Sequence, residues 1–307
     1  MKLIQLVDDY YSSYDYKQLR DETKKQYQYF LNVMMDTIYG GGEDTLRQCN
    51  LDDITTKVAK MCYNQWCDKG IHMANHVMST TRVVFNHGIR EELCVANPFA
   101  NVRRRAAERR KTVWSREDVG KLLQHAYSDF NTRNIGLIAH MAYEWCQRLG
   151  DMRLLTWDNI DFNTQTVHIE QSKRKADVHL PIEDDLFAML QQQEQDFGFQ
   201  QYVAPRPKPY GGEYRPYSLQ KLPLFGRRLM DDAGLSKELR LSDLRRTGTT
   251  EMVEAGVGIG QIMSVTGHAN PQSVKPYMKN TYKSADFALT QRKLDVTSIA
   301  SAAKESI

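Results

Sequence analysis

The stretch Thr166-Val167-His168-Ile169-Glu170-Gln171-Ser172-Lys173-Arg174-Lys175-Ala176-Asp177-Val178-His179-Leu180-Pro181-Ile182 sets the fold class. Thr166 to Gln171 and Val178 to Ile182 each alternate apolar and polar side chains, and the charged turn Ser172 to Asp177 joins them. A period of two around a turn is the pattern of a half-buried antiparallel hairpin. Outward from it, in both directions, the chain reads as helix. Upstream, Ile135 to Trp145 is strongly apolar and delivers Arg148 at its end, in Cys146-Gln147-Arg148-Leu149-Gly150-Asp151. Before that, Ser115 followed by Glu117 and Asp118 marks a helix start, since acidic side chains favour a first turn. Val119, Leu122, Leu123 and Ala126 continue its buried face. Downstream, Tyr202 to Tyr217 is rich in Pro, Gly and Tyr and reads as an irregular loop, after which helices resume from Leu219. The class is α+β, mainly helical with a small sheet.

The N-terminal part carries helical signals only. Thr23 to Tyr39 places Tyr27, Phe30, Leu31, Met34 and Ile38 at helical spacing, and Gly40-Gly41-Gly42 stops it. Asp53 or Thr55 caps a second helix through Val58, Met61, Cys62, Trp66 and Cys67, which Asp68-Lys69-Gly70 breaks. A third runs from near Ile71 through Val77, Val83, Val84 and Phe85, with a further turn over Ile89 to Val95. Asn97-Pro98 closes this half, because the residue before proline resists the helical region. The expected division is an all-α domain over 1–100, its first 20 residues a flexible lead. A basic linker over 101–113 and a domain over 114–307 with a helical tail follow. The linker holds Arg103, Arg104, Arg105, Arg109, Arg110 and Lys111, a patch that can pair with phosphates and release counterions. A solvated linker would carry the same charges.

With 307 residues the chain has room for two cores, and its formal net charge of +3 does not by itself announce a polyanionic partner. No apolar run approaches a membrane span, and the start Met1-Lys2-Leu3-Ile4-Gln5-Leu6-Val7-Asp8-Asp9 turns acidic too early for a secretory signal. The cysteines Cys49, Cys62, Cys67, Cys94 and Cys146 form no CxxC and no Cys/His metal spacing, which suits reduced thiols in a cytoplasmic chain. Neither a metal site nor a membrane partner is expected.

The chemistry sits in four short boxes. Arg148 is followed by Arg245, in Leu241-Ser242-Asp243-Leu244-Arg245-Arg246-Thr247, and then by Thr266-Gly267-His268-Ala269-Asn270-Pro271-Gln272-Ser273-Val274-Lys275-Pro276-Tyr277. Two guanidiniums can hold one phosphodiester from several sides while a phenol attacks its phosphorus and stays attached. Few other chemistries need a Tyr, a His and two Arg in this order, and it points to DNA strand cutting. Singly, each residue also fits a plainer role: Arg148 a helix cap, Arg245 and Arg246 an ion-paired face, Lys173 a solvated turn, His268 a C-cap neighbour, Tyr277 a packing ring.

With these boxes the chain, from about residue 20 to the C-terminal helices, resembles the tyrosine recombinases, the phage-integrase family. That family's Gly-x-Arg-x-x-Glu/Asp box and Leu-x-Trp-x-Asp-Ile-Asp strand are similar to Arg148-Leu149-Gly150-Asp151 and Leu155-Thr156-Trp157-Asp158-Asn159-Ile160-Asp161. Its His-x-Leu-Arg-[His/Arg]-Thr box corresponds to Ser242 through Thr247, its Leu-Gly-His to Thr266-Gly267-His268, and its hairpin lysine to Lys173. Tyr277 follows at the family's usual gap, and Tyr282 does not.

The resemblance implies roles. Arg148 and Arg245 would neutralise the transition state, His268 would add a hydrogen bond to a nonbridging oxygen, and Lys173 would protonate the departing 5′ oxygen. Tyr277 would form a 3′-phosphotyrosine, and Asp151 would orient these groups through hydrogen bonds. One ester replaces another, so no ATP, metal or other cofactor is implied. Double-stranded DNA is the implied partner, gripped by a C-shaped clamp. A tetramer on DNA, monomeric when free, is implied too. Tail residues such as Phe287-Ala288-Leu289 would be exchanged between neighbours, and accessory DNA-bending or directionality proteins are implied as further partners. Phage or mobile-element integration or excision follows, without the additional arm-binding domain of some relatives. One departure stands out: Ser242 replaces the second-box histidine, and serine has no near-neutral pKa, so the proton of Tyr277 goes to another group or to water.

Other classes stay open. A type IB topoisomerase makes the same attack and relaxes DNA. Thr249 to Thr266 reads helix, Ala255-Gly256-Val257, helix, as in a noncatalytic helix-turn-helix regulator. That reading leaves Arg148, Lys173 and Tyr277 unexplained. An inactive relative is the third alternative, motivated by Ser242.

Overall fold

A computed structural model of the chain describes residues 1–39, 43–108, 110–173, 175–278, 285–286 and 288–293. It divides into two compact units, Met1–Arg110 and Lys111–Ile307. Each has its own apolar core.

The first unit is built on α1 (Leu3–Ser12), α2 (Tyr14–Lys17), α3 (Asp21–Met35), α4 (Thr56–Lys69) and α5 (Ile71–Arg90). Of the two residues proposed to cap α4, Thr55 does so, its hydroxyl accepting the Val58 amide at 3.3 Å. α3 ends at Met35, short of Tyr39, and Gly40-Gly41-Gly42 lies outside the described residues. What stops α3 is a bridge between Ile38 and Thr45, while Thr37 turns its hydroxyl to Trp66 Nε1 at 2.8 Å. α5 runs unbroken to Arg90, and Glu91 closes it without a further helix over 89–95.

The first twenty residues are not a flexible lead. Leu3, Leu6, Val7 and Tyr10 are buried on one face of α1, and Leu3 N donates to Cys49 O at 3.0 Å. Their spacing of three, four and seven is a helical stripe, and burying it ties α1 to α5. Residues 97–108 likewise stay bound to this unit. Arg82 donates to Phe99 O at 2.9 Å and to Val102 O at 2.6 Å, Tyr63 OH accepts Arg105 N at 2.6 Å, and Phe99 stacks on Trp66. The stretch expected to start a linker at 101 therefore has its first turns fixed on α4 and α5.

The second unit contains α6 (Arg116–Tyr127), α7 (Phe130–Glu144), α8 (Leu149–Met152), β1 (Ile160–Asp161), β2 (Thr166–Glu170), β3 (Asp177–Pro181), α9 (Asp184–Phe197), α10 (Lys221–Asp232), α11 (Leu244–Glu254) and α12 (Ile259–Thr266). Ser115 caps α6, accepting the Asp118 amide at 3.0 Å. The three strands pair antiparallel in the order β1-β2-β3, with Val167 opposite Leu180 and Ile169 opposite Val178 on the buried face. The expected hairpin is present, each strand ending one residue earlier than read. The Leu155–Asp161 stretch is mostly not strand: Trp157–Asn159 is a turn of 3-10 helix, because Asn159 Oδ1 accepts the Thr156 amide at 3.0 Å and closes it. Residues 202–217 are irregular apart from isolated bridges.

α7 lies at the centre, with Ile135, Leu137, Ile138, Ala139, Met141 and Ala142 all buried. α11 packs on it closely enough that a Cβ at Gly248 would sit 2.6 Å from Tyr143 O, so only glycine fits there. Among the described residues no helix is long and apolar enough to cross a membrane. Since Leu6 is fully buried, Leu6→Ala should lower stability by about 2–5 kcal/mol in urea unfolding. A loss below about 0.5 kcal/mol, the scale of an ordinary surface change, would show that α1 is not packed as described.

Candidate active site

Arg148 does not end the long helix. α7 stops at Glu144, and Cys146 turns the chain with φ of 50°, in the left-handed region that costs a non-glycine residue about 1–2 kcal/mol. Arg148 then takes the N-cap position of α8. Cys146 occupies the glycine place of the first box, and burial pushes its thiol up to about 12, which leaves it an unreactive packing group.

The Arg148 guanidinium has two partners. Nη1 donates to Gln171 Oε1 at 2.8 Å and lies 3.6 Å from Asp151 Oδ2. Asp151 is buried, and its other oxygen accepts Ser172 N at 3.2 Å and Ser172 Oγ at 2.5 Å. One carboxylate thus holds both Arg148 and the root of the hairpin turn. The next residue, Lys173, is exposed and hydrogen bonds to none of this cluster among the described residues; Arg174 lies outside them.

Arg245 approaches from the first turns of α11. Its Nη2 donates to Thr266 O at 2.8 Å and lies 3.4 Å from His268 Nε2, while Nη1 is buried with no hydrogen-bond partner among the described residues. Burial first, and the Arg148 charge second, press this guanidinium down to about 10, with Tyr277 acting in the opposite sense. It remains charged at neutral pH. A half-buried cation with one bare donor can take up an anion.

α12 ends in Gly267, whose φ of 67° and missing Cβ are both required: a Cβ there would stand 2.5 Å from Gln171 Nε2. His268 follows and is buried. Thr266 Oγ1 lies 2.7 Å from Ile262 O and 2.7 Å from His268 Nδ1. The single hydroxyl proton serves the Ile262 carbonyl, so the oxygen accepts from His268, and Nδ1 carries the ring proton. In the neutral ring Nε2 is then a lone pair; it donates only as an imidazolium.

Tyr277 sits in a short 3-10 helix, Lys275–Tyr277, that packs against α11. Its ring lies 6.0 Å from that of His268, centroid to centroid, and the Arg246 guanidinium lies 5.1 Å from its centre. Asn270 caps the preceding turn by accepting Gln272 N at 2.8 Å, and Val274 is fully buried, so the chain leading into Tyr277 is anchored.

Arg148, Asp151, Arg245, His268 and Tyr277 therefore converge, while Lys173 stands at the rim. Ser242 is exposed in a 3-10 turn, Leu241–Asp243. Arg103, Arg104 and Arg105 are exposed on the first unit, where Arg104 donates to Ser79 Oγ and Arg105 to Asn64 Oδ1, both at 2.9 Å. Arg110 is half-buried, Lys111 is exposed, and Arg109, Tyr282 and Phe287 lie outside the described residues. Among the described residues no group of His, Cys, Asp and Glu could hold a metal ion. Two site residues escaped sequence reading, Gln147 and Gln171, both fully buried. The alternation through Val167 and Ile169 puts Gln171 on the inward face, and a polar residue in a buried register was the available signal.

The phage integrase family profile matches residues 113–284, more than half of the chain. No curated protein matches it by sequence. Among solved structures, a lambda integrase dimer bound to a COC′ core site is 20% identical, with a TM-score of 0.75 over 92% of this chain and 97% of that one. A lambda integrase tetramer bound to a Holliday junction gives 20% identity and 0.73 over 91% and 78%. The Tn1549 transposon integrase in complex with transposon right end DNA gives 16% identity and 0.74 over 95% and 99%. At these identities the likeness shows a shared fold.

The folded pKa of Arg245 lies below its unfolded value, so its charge costs stability at every pH below about 10, and the cost recedes only above that. Phosphate at matched ionic strength should therefore raise the Tm beyond the effect of chloride. Arg245→Met should remove that excess while leaving the Tm in chloride no lower than wild type. An undiminished phosphate effect in the variant would place the anion site elsewhere.

Proposed function

The chain belongs to the phage integrase family, and from that premise we propose that it cuts and rejoins DNA at specific sites through a 3′-phosphotyrosine, in the integration or excision of a phage or mobile element. The observation that carries this reading is the bare Nη1 of an Arg245 guanidinium whose Nη2 lies beside His268, with the Tyr277 ring 6.0 Å from that histidine in the same unit. In this reading the nucleophile comes from the same chain as the two arginines.

In this reading the scissile phosphate occupies the space in front of the two guanidiniums. The Tyr277 oxygen forms a bond to phosphorus as the bond from phosphorus to the 5′ oxygen breaks. Lys173 gives that oxygen a proton, and the phenol proton leaves to water or to the His268 Nε2 lone pair, since Ser242 is no base. One phosphodiester becomes another, so rejoining is the same step reversed. Arg148 and Arg245 aim fixed charge at the nonbridging oxygens, where planar forks match phosphate better than an ammonium does. Asp151 positions Arg148 and, through Ser172, the turn that carries Lys173.

The finer assignments belong to the same proposal. Residues 1–100 act as an all-α core-binding domain, and residues 101–113 supply phosphate contacts through Arg103, Arg104, Arg105, Arg109, Arg110 and Lys111. The protein works as a tetramer on double-stranded DNA, with its tail exchanged between neighbours. The helix-turn-helix alternative is weakened by the use of α12, whose end is consumed in presenting Gly267 and His268.

A pool of nicked duplexes of randomised sequence tests the reading. Wild type should leave an SDS-resistant protein–DNA adduct on a restricted set of sequences, and Tyr277→Phe should leave none while Tyr282→Phe still does. Trapping across the whole pool would point to a topoisomerase, and no trapping to an inactive relative or regulator. On the recovered sequence, Lys173→Ala should slow cleavage by about 10²–10⁴-fold. Sulfur in place of the 5′ bridging oxygen leaves without a proton and should erase most of that defect; an equal defect on both substrates would remove Lys173 from the proton-donor role.

A further inference from the structure

We infer that Gln171 is a positioning residue of this active site: its side-chain amide fixes Arg148 and sets its spacing from Arg245. The inference rests on the recombinase reading above. Gln171 is fully buried at the end of β2. Its Oε1 accepts Arg148 Nη1 at 2.8 Å, and its Nε2 donates to Thr266 O at 2.8 Å and to Gln147 Oε1 at 2.6 Å. The Gln147 amide nitrogen in turn donates to Val265 O at 2.7 Å and Trp145 O at 2.8 Å.

The polarity of this amide is forced. Thr266 O can only accept, so nitrogen must face it; a guanidinium can only donate, so oxygen must face Arg148. Thr266 O also accepts Arg245 Nη2 at 2.8 Å. A continuous path therefore runs from Arg148 through the Gln171 amide and the Thr266 carbonyl to Arg245. It holds apart two like charges that disfavour each other. A neutral link suits this place. A carboxylate would have no N–H for Thr266 O and would pair with Arg148, competing with the phosphate that the arginine has to meet. Gly267 confirms how closely the amide is seated, since a Cβ would meet all three of its terminal heavy atoms within 3.0 Å.

The test is a double-mutant cycle on the duplex recovered from the randomised pool, reading single-turnover adduct formation and, separately, duplex affinity. Gln171→Met should slow cleavage by about 10²-fold, the scale of a small misplacement of a reacting group, with affinity within about threefold of wild type. In an Arg148→Lys background the same change should alter the rate by less than about threefold, because its effect passes through the Arg148 fork. Should Gln171→Met fail to fold, Gln171→Leu, which also removes the amide without adding a charge, enters the same cycle with the same expectation. An equal factor in both backgrounds, or a loss of affinity as large as the loss of rate, would make Gln171 a core residue only and overturn the inference. Absence of any wild-type adduct would instead remove the recombinase reading, and this inference with it.

Discussion

Two positive side chains kept close together, partly out of water and without a counter-charge between them, are the constraint on which the second unit is organised. Arg148 comes from the turn after α7 and Arg245 from α11, so the packing of those helices fixes the distance between the charges. Gly248 lets the helices approach to where Tyr143 O would touch a Cβ. The guanidiniums are then held by acceptors that do not cancel them, chiefly a side-chain amide and a main-chain carbonyl. Among the described residues Asp151 is the carboxylate paired with Arg148, and it spends its other oxygen on Ser172. Stability and function pull in opposite directions here. The charge that burial disfavours in the free protein is the charge that, in the proposed function, an incoming phosphate would meet.

Local backbone geometry serves the same end. Left-handed residues stand at two points of delivery, Cys146 just before Arg148 and Gly267 just before His268. Each reverses the chain sharply where a helix stops, so that a side chain which would otherwise run along the helix surface points into the cluster. At Gly267 the conformation costs little. At Cys146 a side chain bears the strain, held there by burial against α11.

Much of this was legible in the sequence. Ser115 caps α6 as read, the Thr166–Ile182 alternation is the β2–β3 hairpin, and Arg148, Arg245, His268 and Tyr277 meet in one cluster. What escaped had physical reasons. The α1 stripe of Leu3, Leu6, Val7 and Tyr10 is interrupted by acidic residues, and its value depends on α5 offering a face to bury it. α9 is hidden in the sequence because its glutamines and acids mask the spacing of Leu186, Phe187, Leu190 and Phe197. The sequence carries the helix before Arg148 straight on to that residue, since nothing local announces that Cys146 will adopt a positive φ. Gln171 is silent in the sequence because a buried amide acquires meaning only when its partners, distant along the chain, are known.

The hairpin turn has a metrical consequence. Ser172 is pinned by Asp151 while Lys173, the very next residue, is exposed. The ammonium therefore sweeps a small sphere around an anchored origin, and that origin has a set separation from the arginine pair and the phenol. Along one strand of a duplex the phosphates recur at about 3.4 Å of axial rise. In the proposed recombinase the arginine pair and the phenol, fixed by the folded core, would select one linkage along that strand, and the exposed lysine would follow whichever oxygen departs from it.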